Sequence, residues 1–79
     1  MIYTFKNTKF GTLVYDENEY TGISITKGKI GYFVCAEENS RYFQHFDPLE
    51  IGTMYQAKKY AVKNIQYAIE EINTNLATL

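Results

Sequence analysis

Apolar and polar positions change rhythm once along this chain, close to residue 47. Before that point the period is two. In Tyr20-Thr21-Gly22-Ile23-Ser24-Ile25-Thr26, Ile23 and Ile25 share a face with Thr21, as in a strand with one buried side. The run from Ile30 to Ala36 is apolar on both faces, with Ile30, Tyr32 and Val34 opposite Phe33 and Cys35. The pattern predicts a hairpin of 20–26 with 30–36 whose second strand is central in the sheet. Lys27-Gly28-Lys29 joins the two strands, with Gly28 supplying the positive φ of a tight turn. Upstream, 2–6 and 10–15 form a further pair through Asn7-Thr8-Lys9, and Asp16-Glu17-Asn18-Glu19 turns the chain into the hairpin. Arg41 to Phe46 adds a short edge strand.

After residue 47 the period becomes that of a helix. Asp47 as N-cap, Pro48 at the first helical position and Glu50 three residues on make one capping box, with Phe46 and Ile51 as its hydrophobic staple. Thr53-Met54-Tyr55-Gln56 offers a second box just beyond Gly52. Both cannot start one uninterrupted helix, so the expectation is a helical turn at 48–51, a break at Gly52, and the main helix over 54–73. Met54, Ala57, Ala61, Ile65, Ala68, Ile72 and Leu76 form its apolar stripe, with Ile69 at the margin. The fold class that follows is α+β: one domain over 1–79, with an antiparallel sheet of three to five strands covered on one face by a single C-terminal helix.

Composition narrows the functional classes. The apolar and charged fractions, 46% and 22%, are those of a folded globular chain. A net charge of −1 argues against broad electrostatic attachment to nucleic acid or to an anionic membrane, though not against a local basic patch. The N-terminus, Met1 to Lys6, lacks the basic and apolar regions of a secretory signal, and no apolar run is long enough to span a bilayer. With Cys35 as the single cysteine, no internal disulfide forms, and a reducing, cytoplasmic location (a host's cytoplasm if the chain is viral) is expected.

Aromatic side chains are the main surplus: five Phe and eight Tyr. One helix covers one sheet face, so Tyr3, Tyr20, Tyr32 and Tyr42 are expected to line the other, as a platform for a protein partner, a second copy of the chain or stacked bases. On the helix, Tyr60, Lys63 and Tyr67 form a ridge opposite the apolar stripe, flanked by Gln56, Lys59 and Glu70. Lys58, Lys59 and Lys63 come early in the helix and Glu70 and Glu71 late, the order a helix macrodipole disfavours. These residues point to a non-enzymatic protein-interaction module, with homodimerisation as a separate expectation. Small domains without staples gain stability from such contacts.

The alternative is nucleic-acid binding by Lys27 and Lys29 at the hairpin tip together with Lys58, Lys59 and Lys63 on the helix. In outline, a basic β-ribbon followed by a helix is similar to the arm-binding domains of phage-type integrases, a likeness of topology that no motif residue carries. Chemistry has little to stand on. Cys35, His45 and Asp47 or Glu50 supply the residue types of a nucleophile–base–orienter set, but Cys35 lies in the most apolar strand, where a thiol packs as an inert group. Cys35 and His45 provide two zinc ligands where four are needed, so neither a metal nor another cofactor is expected. In general style the chain resembles small proteins of phages and mobile elements, a likeness that implies an inhibitor of host or defence machinery, anti-CRISPR proteins among them.

Overall fold

A computed structural model describes residues 2–47 and 49–77, and the side chains up to Asn75. Five strands, β1 (Tyr3–Thr8), β2 (Gly11–Asp16), β3 (Glu19–Lys27), β4 (Tyr32–Ala36) and β5 (Glu50–Ile51), form one antiparallel sheet in chain order. A single helix, α1 (Met54–Ala77), packs across one face. The α+β architecture is as the sequence predicts. The register rows Phe5–Val14–Ile23–Ala36 and Asn7–Thr12–Ile25–Val34 cross the covered face, while Lys6–Leu13–Ser24–Cys35 crosses the open one.

The core sits between sheet and helix. Val14, Ile23, Ile25 and Val34 meet Ala57, Ala61, Ile65 and Ala68, all buried. The three alanines bring the helix axis close to the sheet, so the Ile65 side chain fills the remaining gap. Thr53 is the helix cap: its Oγ1 accepts from the Gln56 amide at 3.1 Å and its carbonyl from the Ala57 amide at 2.9 Å. The second of the two candidate starts is therefore the one used, and the helix extends beyond the expected residue 73. Leu76 lies outside the described side chains and Pro48 outside the described residues.

Several expectations are corrected. The central strand is β3, because β4 has only the two-residue β5 beyond it. Arg41 to Phe46 makes no strand. Bonds from Phe43 to Ser40, His45 to Tyr42 and Phe46 to Phe43 wind this segment into a 3-10 turn, Phe43–His45. Tyr42 and Phe46, four residues apart, then both reach the core, a helical spacing that the aromatic content of the segment obscured. The helical turn expected at 48–51 is replaced by β5, and the box and staple built on Asp47 do not form. Gly28 does not take positive φ; among the described glycines, Gly11 and Gly22 do, at 130° and 82°.

Candidate functional site

Helix α1 presents its most accessible aromatic groups along one line. Tyr55, Lys59, Lys63 and Tyr67 recur every four residues, so each stands above the last on the helix surface. Tyr55 and Tyr67 are 72% and 57% exposed. Each ring carries a lysine: the Lys59 ammonium lies 5.7 Å from the Tyr55 centroid and that of Lys63 5.8 Å from Tyr67. Beside this ridge the Lys58 ammonium sits 5.0 Å from the Phe5 ring of β1.

Shallow clefts of about 700 and 540 Å³ flank the ridge, and Tyr55, Lys59 and Lys63 belong to both. Ile51 and Tyr60 line one, Phe5 and Val62 the other, and no described carboxylate lines either. Among the described residues the one contact of histidine, lysine or arginine with a carboxylate is His45 Nδ1 to Glu71 Oε2, at 3.4 Å, so these lysines pair with no described acid. The result is a convex strip of tyrosine and uncompensated positive charge between two apolar troughs.

Of the residues expected on this ridge, Lys59, Lys63 and Tyr67 are exposed on the helix and Tyr60 is not. Tyr60 is half-buried, edge-on to Phe46 at 6.0 Å and 84°, and packs against the core. Tyr55 takes its place, and a walk in steps of four back from Tyr67 would have found it. The four-tyrosine platform is also corrected. Tyr42 is 3% exposed, with its hydroxyl accepting from Arg41 Nη2 at 2.6 Å, and Tyr3 and Tyr32 pack against the core on the helix side. Of the four, Tyr20 alone stays on the open face, paired with Tyr15 at 5.6 Å between ring centroids. The rest of that face is mixed: Thr4, Lys6, Ser24 and Thr26 beside Leu13, Phe33 and Cys35.

Cys35 is exposed rather than packed, since it alternates with buried Val34 and points away from the helix. His45 is held on the helix side, where its carbonyl accepts from Asn64 Nδ2 at 3.4 Å. The sheet separates thiol from imidazole. Glu50 sits at the β3–β4 turn, where its Oε2 accepts from the amides of Ile30 and Gly31. Among the described residues no three potential metal ligands cluster, and no helix is long and apolar enough to cross a membrane.

Charge is segregated along the sheet. The β2–β3 turn and the end of β4 carry Asp16, Glu17, Glu19, Glu37 and Glu38, whereas the β1–β2 and β3–β4 turns at the opposite end carry Lys9, Lys27 and Lys29. An acidic cleft of about 470 Å³ lies at the first end, with Tyr20, Arg41 and Tyr42 on its wall. There burial raises the Tyr20 phenol above its ordinary value, and Glu37, 3.4 Å from its hydroxyl, adds to the shift. Burial also raises the Tyr3 phenol, with Asp16 next in effect.

The chain matches no protein-family model, and comparison with curated proteins and with solved structures returns no match.

Proposed function

We propose that this protein is a non-enzymatic interaction module that acts by occupying the surface of a partner protein, using the Tyr55–Lys59–Lys63–Tyr67 ridge. One observation carries the reading: two largely exposed tyrosines with lysines over their rings, bounded by troughs that hold no described acid. Tyrosine supplies contact area with few rotatable bonds to order, and it is among the residues that dominate interface energetics. Stoichiometric inhibition, of the kind phages and mobile elements direct at host or defence machinery, suits a surface that binds without reacting. The lone exposed thiol of Cys35 fits a reducing, cytoplasmic setting. Cross-linking in the native host tests the proposal. Wild type should capture a protein that the Tyr55→Ala/Tyr67→Ala double variant does not, with both folded. Capture of nucleic acid alone would overturn it.

The co-location of Lys27, Lys29 and Lys9 at one sheet end supports a second reading, nucleic-acid binding, with Lys58, Lys59 and Lys63 extending the contact. Mobility shifts that vanish steeply with salt and on reversing Lys27 and Lys29 would establish it. Silence at low salt would end it. Homodimerisation at the outer edge of the sheet, where β1 is the last strand, is compatible with either reading. Light scattering should then return a mass above 9.2 kDa, and a value of 9.2 kDa across the micromolar range removes it.

A further inference from the structure

Antiparallel pairing puts the β1–β2 and β3–β4 turns at the same end of the sheet, with their centres two strand spacings, about 10 Å, apart. Each turn holds out one large apolar side chain. Ile30 and Phe10, at 85% and 77%, are the most exposed large hydrophobic residues described.

Neither is carried on loose chain. Thr8 Oγ1 accepts from the Phe10 amide at 3.2 Å and donates to the Gly11 carbonyl at 2.8 Å. Positive φ at Gly11, the first residue of β2, closes the turn in a space where a Cβ would lie 2.7 Å from the Ile25 carbonyl oxygen. The Ile30 amide is bound to Glu50 Oε2 at 2.8 Å, and the Gly28 amide to the Gly31 carbonyl at 2.7 Å. The main chain of both tips is held by hydrogen bonds before anything binds, so burying them orders little beyond the two side chains.

Lysines surround the tips. Lys9 lies over the Phe10 ring at 5.1 Å, and Lys27 and Lys29 flank Gly28 just before Ile30. Glu50, the carboxylate placed at this end, is engaged with turn amides. Asp16, Glu17, Glu19, Glu37 and Glu38 are at the far end. Helix α1 also starts at the lysine end, since Ile51 pairs with Tyr32 and Gly52 follows it. Its positive terminus therefore adds to the lysines, and the net charge of −1 conceals a strongly polarised molecule.

We infer that this end docks on an anionic membrane surface, with Phe10 and Ile30 entering the headgroup–acyl boundary while Lys9, Lys27 and Lys29 meet the lipid phosphates. The surface is distinct from the helix ridge and does not rest on it. Ordered apolar tips ringed by lysines fit a layer that is anionic outside and apolar beneath. A nucleic-acid duplex matches the charge but offers its phosphate surface no apolar layer. Bidentate guanidinium contacts are also lacking at this end, because Arg41 lies at the other.

Flotation with phosphatidylcholine vesicles containing about a third phosphatidylserine tests it. The protein should partition at least about tenfold better than onto pure phosphatidylcholine, and raising the salt should release it. The Phe10→Ser/Ile30→Ser variant should lose at least about tenfold while keeping the wild-type circular dichroism, because both side chains are already in water. As a second readout, an environment-sensitive dye attached at Phe10→Cys in a Cys35→Ser background should shift to the blue on anionic vesicles. No preference for anionic vesicles, equal partition of the serine variant, an unmoved dye, or tighter binding to duplex DNA than to vesicles would each overturn the inference.

Discussion

Glu50 clamps Ile30: one carboxylate oxygen, Oε2, accepts from the Ile30 amide at 2.8 Å and from the adjoining Gly31 amide at 2.7 Å. The contact ties β5 to a turn twenty residues earlier and sets where the sheet ends. Charge-assisted bonds of this kind contribute about 1.5–3 kcal/mol. Glu50→Ala should therefore lower stability by about that amount, read by urea denaturation, and Glu50→Gln by less. Amide exchange at Ile30 and Gly31 should quicken in both variants. Unchanged exchange would show that the turn holds without its clamp.

Gly22 is a further point where the fold has little slack. Its φ is 82°, and a Cβ there would lie 2.6 Å from Ser40 Cβ. Ser40 cannot retreat easily, because its Oγ donates to the Thr21 carbonyl at 2.7 Å and accepts from the Tyr42 amide at 3.2 Å. Gly22→Ala combines backbone strain with a clash and should cost about 2–4 kcal/mol. Adding Ser40→Gly removes the clash but not the strain, so thermal melts of the double variant should show no full recovery.

Both relationships join residues far apart in the chain, which is why neither was legible in the sequence. What could be read was local or periodic: the hairpins from alternation, the amphipathic helix from its spacing of three and four, its start from Thr53. Errors arose where tertiary partners decided the outcome. Glu50 reads as a helix-capping residue until the β3–β4 turn is placed beside it. Tyr42 reads as a strand aromatic until the 3-10 turn folds it under the helix. On the helix, the spacing of three and four separates the buried stripe from the exposed side, but the half-burial of Tyr60 comes from Phe46, whose position the spacing does not show.

Alkaline pH should weaken the fold through Tyr3 and Tyr20. Both phenols are raised above their ordinary 10.0, burial being the main cause and the neighbouring Asp16 and Glu37 the next. The folded chain holds these protons more tightly than the unfolded one. Their contribution is therefore fully present below pH about 10 and lost as pH rises through the higher folded-state values. Replacing both by Phe should flatten the decline of the urea midpoint between about pH 9 and 12. If the decline keeps its wild-type slope, other groups cause it.

The helix ridge and the core make opposite demands on mutation, and that contrast fixes how the helix is seated. Ile65 is fully buried between Ala61 and Ala68 on the face that meets the sheet. Cutting it to Ala leaves a cavity that the close-set alanines cannot fill, at a cost of about 2–5 kcal/mol. Native domains are stable by only about 5–15 kcal/mol, so at the low end of that range the loss approaches unfolding. Tyr60→Ala should be intermediate, about 1–3 kcal/mol, because half the ring and its edge contact with Phe46 are lost. Tyr67→Ala should stay within about ±0.5 kcal/mol, since its ring packs mainly on Lys63 and water. Thermal melts of the three single variants should therefore rank Ile65, Tyr60, Tyr67 in falling severity. A chain that tolerates Ile65→Ala but unfolds on Tyr67→Ala would mean that the helix is seated on its opposite face, because positions 65 and 67 stand about 160° apart around the axis.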